Sequence, residues 1–414
     1  MTRVEPKGLL DFGRAALTYP HAENVLADLN WTHYASGIRA LHMRGGSVDV
    51  LCEAVRSVGD LGHWFGCVFF SDAAIDPVDL AERLRMDLPE LECTGCTTAG
   101  ELTPEGILDG DVLFVLFPRA AFTISPLVID DLATGGMGDI AASVAAMREQ
   151  HTLKTAGTAH DKPFALCLID GMSYAEEAVT AAIFWGLDDI PLIGGSAGDH
   201  MEFRKTFILA NGSAWSGRAV ILIISTAIPF QIFKSDNFIP SAQKLVVTAS
   251  DPDKRIVYEF NAAPAADEYA AAIGIAPESL NAMSFASHPV VVRVGGEYFC
   301  RSIQKVNPDR SLSFFCAIDD GVVLTVGKAQ GMVESTRAAL TEVDQNLGGI
   351  DMILGFDCIL RRLDAQNRQV FRGMSELYQM HRVIGFGTYG EQYQSLHLNQ
   401  TLTGIAFGRA LAAE

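Results

Sequence analysis

Long apolar runs are missing from this chain. The longest, AVILIISTAIPFQIF from Ala219 to Phe233, is broken by Ser225, Thr226, Pro229 and Gln231. It also falls short of the ~20 residues a membrane span needs. The opening MTRVEPKGLLDFGRA places Glu5, Pro6, Lys7 and Asp11 where a signal peptide has its apolar stretch. Positive charge is scarce: 31 Lys and Arg stand against 50 Asp and Glu, a formal net charge of −19. No Lys/Arg run exceeds two residues, so nucleic acid and anionic membrane find no matching surface. A disulfide framework is lacking too. The 8 cysteines are irregularly spaced, and Cys67, Cys167, Cys316 and Cys358 sit inside apolar runs, as reduced core thiols do. Cys93-x-x-Cys96 has no further ligands nearby for zinc, and no Cys-x-x-Cys-His offers covalent haem attachment. The expectation is a soluble cytoplasmic protein with neither nucleic acid nor membrane as partner.

What is present is a globular composition, 49% apolar and 20% charged over 414 residues. At roughly 150 residues per domain this means two or three domains. One unit recurs. GCVFFSD around Cys67 is an apolar run, DPVDLAERLRMDLPEL has helical spacing, CTTAGEL is a glycine turn and VLFVLF a closing strand. ALCLIDGMS, AEEAVTAAIFWGL, PLIGGSAGD and AVILIIS repeat that order. GFDCILRR, a helix over about 365–380, VIGFGTYGE and TGIAFG repeat it again. The turns share [Thr/Ser]-x-Gly-[Asp/Glu], and 31, 29 and 30 residues separate Cys67 from Thr98, Cys167 from Ser196 and Cys358 from Thr388. Repetition of this kind outranks any single short motif. It predicts a mixed α/β (α+β) fold of layered helices and sheets, built from strand–helix–strand–turn–strand units.

Between the second and third copies lie short β-branched stretches (KLVVTAS, RIVYEF, HPVVVRV, EYFCRSIQKV, SLSFFCAI, GVVLTVGK) and one helix, NAAPAADEYAAAIG, with Asn261 placed to cap it. A boundary near DNFIPSAQ divides the chain into an N-terminal extension (1–55), a first domain (56–240) and a second (241–414).

Two motifs invite enzymatic readings. Gly385-x-Gly387-x-x-Gly390 has dinucleotide-loop spacing, but only 24 residues follow Gly390, too few for the helix and strand such a site needs. Gly194-Gly195-Ser196-Ala197-Gly198 matches a nucleophile elbow. The equivalent positions in the other copies are Thr98 and Thr388, so what the copies share is a hydroxyl on a turn. A serine-type hydrolase at Ser196 stays as the alternative, with His288 available as a base. Thr98, Gly100, Glu101, Ser196, Gly198, Asp199, Thr388, Gly390 and Glu391 are the candidate ligand-binding residues. Backbone N–H groups beside a hydroxyl can hold an anion, and the acid can accept from an ammonium, which suits a zwitterion such as an amino acid. A ligand-free scaffold, in which the same side chains only close their turns, stands beside it.

GCTTAGEL, PLIGGSAGD and TYGEQYQSLHLNQTLTGIAFG, in that order, together resemble the FIST sensory proteins, an N-terminal FIST domain followed by a FIST C-terminal domain. FNAAPAADEY and YFCRSIQKV resemble the start of the latter. The resemblance implies a bacterial or archaeal intracellular input module and no enzyme. It binds a small ligand and acts on a separate partner, a histidine kinase or a cyclic-di-GMP enzyme, with a homodimer also open. The string from Thr388 to Thr401 is most similar to a haem-binding, nitric-oxide-sensing branch. That similarity implies a possible haem b, with His397 and His288 as axial candidates. It also adds Arg301, Tyr389 and Asn399 to the ligand-binding set.

Overall fold

The computed structural model describes residues 31–132, 134–200 and 202–409; residues 1–30 of the expected N-terminal extension lie outside the described residues. Three apolar strands organise the chain: Trp64–Phe70, Lys162–Ile169 and Ile350–Cys358. Each runs parallel to the strand that follows its helix (Glu92–Thr97, Leu192–Ser196, Val383–Thr388) and antiparallel to the last strand of its unit (Asp111–Pro118, Ala219–Thr226, Leu402–Gly408). An outer strand completes each plan: Arg39–Arg44, Phe122–Ile129 and Phe230–Ser235.

Successive strand residues face opposite sides. Phe65, Cys67 and Phe69, Phe164, Leu166 and Leu168, and Met352, Leu354 and Phe356 all point into one shared core. Rings bridge the units there: Phe69 stacks on Phe386 at 4.7 Å, and Phe122 meets Phe407 edge-on at 5.6 Å. The opposite faces lie under helices. Val48–Arg56 and Pro77–Asp87 cover the first sheet, Met137–Thr155 and Glu176–Leu187 the second, Met332–Leu347 and Phe371–Met380 the third. Burial on both faces is why the runs read as continuously apolar.

The units also exchange hairpins. After each glycine turn the chain forms a short hairpin that joins a neighbour's sheet. Residues 101–108 extend the third sheet through Val383–Thr388, 208–215 extend the first through Glu92–Thr97, and 391–398 extend the second through Leu192–Ser196. The cycle is closed, and no unit is complete alone.

The stretch between Ser235 and Met332 forms a separate eight-stranded sheet with its own core around Tyr269 and Phe260. Its first strand, Phe238–Asp251, starts within DNFIPSAQ, and the chain afterwards returns to the three sheets packed around the shared core (the barrel).

Four details differ from the sequence reading. The three cysteines are not equivalent: Cys67 faces the central core, Cys167 faces the helices and Cys358 ends its strand. Asn261 does not cap the next helix, which runs Ala265–Ile273 from Pro264; its side chain accepts from Val246 N (3.0 Å) and donates to Glu268. The helix read over 365–380 is two, Ile359–Asn367 and Phe371–Met380, because the chain turns through Gln369 at φ 59°. Residues 39–56, all but the last within the stretch read as an extension, supply an outer strand and a helix to the first unit. No helix among the described residues is long and apolar enough to cross a membrane.

Candidate functional site

The three glycine turns follow the ends of the parallel strands, and there they interlock. Gly198 N donates to Thr97 O (3.0 Å), Ala99 N to Gly387 O (2.8 Å), Gly387 N to Gly100 O (2.7 Å) and Ser196 N to Gly390 O (2.8 Å). Backbone this close leaves no space for side chains. A Cβ on Gly198 would stand 2.7 Å from Ala99 N, and one on Gly100, whose φ is 107°, would stand 2.2 Å from Arg362 Nη1. Thr98 and Thr388 hydrogen-bond Glu101 and Glu391 of their own turns, and all four are fully buried. Ser71 Oγ (2.8 Å) and Thr401 Oγ1 (2.6 Å) complete the two carboxyls. Burial raises both Glu101 and Glu391 to about 8, against the pull of these hydroxyls.

The second turn is built differently. Asp199 accepts from Phe203 N (2.8 Å), Arg204 N (2.6 Å) and Lys205 N (2.8 Å), and from the Tyr389 hydroxyl. Tyr389 in turn stacks on Phe203 at 4.5 Å. Ser196 is fully buried, and its Oγ accepts from Gln392 Nε2 at 2.9 Å. Gln392, not a histidine, is the hydrogen-bonding partner, so the base of a nucleophile elbow is not in place. Asn399 Nδ2 donates to Tyr389 O (3.3 Å), while Asn399 Oδ1 and Gln392 Oε1 are buried without a partner.

Arg301 and His397 meet where the inserted sheet touches the barrel: Arg301 Nη1 reaches His397 O at 3.4 Å. His397 is 3% exposed, its Nδ1 lies 3.3 Å from Gln392 Nε2, and burial lowers it to about 4. Beside it, Arg255 of the insert binds Glu176 (2.7 Å) and Glu177 (2.9 Å) of the barrel, and Ala317 N donates to Glu177 (3.0 Å).

The haem expectation can be tested on these neighbours. The His397 ring edge lies against Gly390, where a Cβ would fall 2.6 Å from Nε2, so backbone occupies the side an iron would approach. His288 ends the helix Ala282–Ser287 and its Nδ1 is buried and unpartnered. Neither histidine lines the cavities of about 310, 180 and 10 Å³. The residues around His397 do not fit a haem. Among the described residues no cluster of His, Cys, Asp and Glu could hold a metal ion.

The roomiest of these cavities, about 310 Å³, lies elsewhere, between the first hairpin of the described chain, Pro104 of the exchanged hairpin and the third unit. Thr32, Tyr34, Asp351, Gln379 and Arg382 supply its polar wall. Asp351 is 1% exposed and accepts from Ala35 N (2.8 Å) and Ser36 N (2.7 Å), which fixes the loop carrying Tyr34. Burial and then Asp351 push the Tyr34 phenol well up, so it stays a neutral donor. Arg382 follows the helix Phe371–Met380 with φ 54°, a position where glycine is the usual residue. Its Nη1 donates to Asp351 O (3.3 Å) and stands 3.9 Å from Asp351 Oδ1, with half the side chain exposed.

The sequence reading named none of these residues. The readable signal was an arginine between a helix and a strand, where glycine costs less. Glu176, Glu177 and Arg255 were missed as well, because their meeting depends on how the insert packs.

None of the curated proteins compared matches the chain. Among solved structures it is similar to a crystal structure of a chorismatase, at 9% identity over 92% of this chain and 100% of that one. The TM-score is 0.32, a likeness too distant to carry function. Family models are decisive: the FIST N domain matches residues 65–263 and the FIST C domain residues 265–394. The chain belongs to the FIST family, whose domains are sensory domains of signal transduction.

Proposed function

We propose that this chain is a ligand-responsive input module, not an enzyme, that binds a small zwitterion of the amino-acid class and regulates a separate signalling protein. A histidine kinase or a cyclic-di-GMP enzyme is the partner type. The observation that carries the ligand reading is the cavity of about 310 Å³ with Arg382 and Asp351 on one wall. Ligand pockets start near ~300 Å³ and carry a few convergent polar groups on an apolar lining. Arg382 has donors free for a carboxylate, Asp351 is the anion nearest an ammonium, and Tyr34 and Pro104 give the apolar surface.

The interlocked turns support the scaffold reading for their own residues. Thr98, Glu101, Thr388 and Glu391 spend their polar atoms on each other and on Ser71 and Thr401. They hold the units together, and the ligand reading moves to the opposite strand ends.

Thermal-shift screening of the full chain against the common amino acids tests the proposal, since a ligand stabilises the state it binds. One or a few related amino acids should raise the melting temperature, and Arg382→Gln should remove the effect. No shift across the panel, or one that survives Arg382→Gln, overturns it.

A further inference from the structure

Three helix pairs occupy equivalent places on the three units, so each is a control for the others. On the first, the outward side chains include Asp49, Arg56, Glu82 and Arg85. On the third they include Glu334, Arg337, Arg372 and Glu376. The second pair differs. From Ala178 to Leu187 its shorter helix has no charged residue, Ala178 is exposed, and Trp185 is 84% exposed. Its companion Met137–Thr155 turns Ala142 and Ala146 outward. The helices lie close: a Cβ on Gly186 would fall 2.5 Å from Ala141 O. A helix that is apolar all round belongs in an interior. Small residues beside a large exposed aromatic form the kind of shallow groove on which a further helix packs.

The rim identifies the occupant. Asp188 is held by Arg148 at 2.9 Å, while Asp139, Glu149 and Asp189 are exposed and have no ion pair among the described residues. A second copy of a chain with net charge −19 brings more of the same sign. An anionic lipid surface is repelled for the same reason. A helix with basic edges is complementary.

We propose that the outer face of the second unit's helix pair is the docking site for an amphipathic helix of another protein, apolar on one face and edged with Lys or Arg. The inference does not depend on the ligand site.

The test titrates the full chain with two synthetic helical peptides of identical leucine face, one edged with lysine and one with glutamate. Calorimetry and the tryptophan emission report binding. The lysine peptide should bind with salt-sensitive affinity, at least about tenfold above the glutamate peptide. Ala181 lies one helical turn before Trp185 and is partly exposed; Ala181→Glu should weaken binding about tenfold or more, because the docked leucine face would desolvate the new carboxylate. Trp185→Ser should do the same at a position too exposed to matter for folding. Met380→Glu, at an exposed apolar residue of the third unit, should change nothing. Equal affinity for both peptides, or binding indifferent to Trp185→Ser, overturns the proposal. So does self-association of the chain that Ala181→Glu abolishes, which would give the face to a second copy.

Discussion

Gln392 Nε2 donates to Ser196 Oγ at 2.9 Å, joining residues 196 positions apart across the boundary between the third and second units. The bond exists because the third unit's hairpin completes the second unit's sheet. It gives the serine a structural task. Ser196→Ala should leave the ligand response unchanged and cost about 1–3 kcal/mol, the penalty of stranding a buried amide donor. Urea denaturation measures the loss. A wild-type midpoint together with a lost hydrolytic activity would instead make Ser196 a nucleophile.

The buried turn carboxyls predict an inverted pH dependence. Glu101 and Glu391 are raised by burial to about 8, above the ordinary 4.5. Between those values the folded protein holds protons that the unfolded chain has released. The contribution is therefore complete below about pH 4.5 and is lost as pH rises through about 8, at up to ~1.4 kcal/mol per pH unit for each group. Glutamine mimics the protonated acid. Glu391→Gln should flatten the fall in stability between pH 5 and 8, and adding Glu101→Gln should flatten it further. Denaturation curves at pH 5, 6.5 and 8 decide the matter, and an unchanged slope in the double variant would refute it.

These turns also show what the sequence made legible. The [Thr/Ser]-x-Gly-[Asp/Glu] repeat located three equivalent units because it reports local backbone geometry, and that geometry is local in sequence. The exchange of hairpins was illegible, since residues 101–108 look the same whether they pair with their own sheet or with the third. The choice is made by long-range register. The same holds for Arg301 and His397, which the family resemblance named singly and packing brings together. Asp351 and Arg382 gave still less signal, because a lone acid and a lone arginine acquire meaning only when three distant segments enclose them.

One guanidinium of the insert, that of Arg255, joins it to two carboxyls of the second unit, beside the links from Ala317 N to Glu177 and from Arg301 to His397 O. Arg255 is shared by Glu176 and Glu177, and burial raises Glu176 to about 7 even with that partner. Arg255→Ala would leave the buried Glu176, and the partly buried Glu177 beside it, without their cation. Breaking a buried pair costs about 3–5 kcal/mol. The loss should be local. Hydrogen exchange and limited proteolysis should quicken within residues 238–329 before the barrel sheets respond. Equal acceleration in both bodies would show that the cluster does not act as a fastening.

Arg382 separates stability from function. A side chain at φ 54° is held in the left-handed region, which costs an L-residue roughly 1–2 kcal/mol. Arg382→Gly relieves that strain and loses a half-exposed hydrogen bond to Asp351 O, while the more flexible unfolded chain takes back about 0.5–1 kcal/mol. The variant should accordingly be as stable as the parent, within about 1 kcal/mol. If the arginine is kept for the cavity, that same variant should show no amino-acid-dependent thermal shift. Chemical denaturation and the ligand screen on one preparation give both readings. A clear drop in stability with the ligand shift intact would mean that Arg382 serves the fold, and the cavity would lose its carboxylate-binding group.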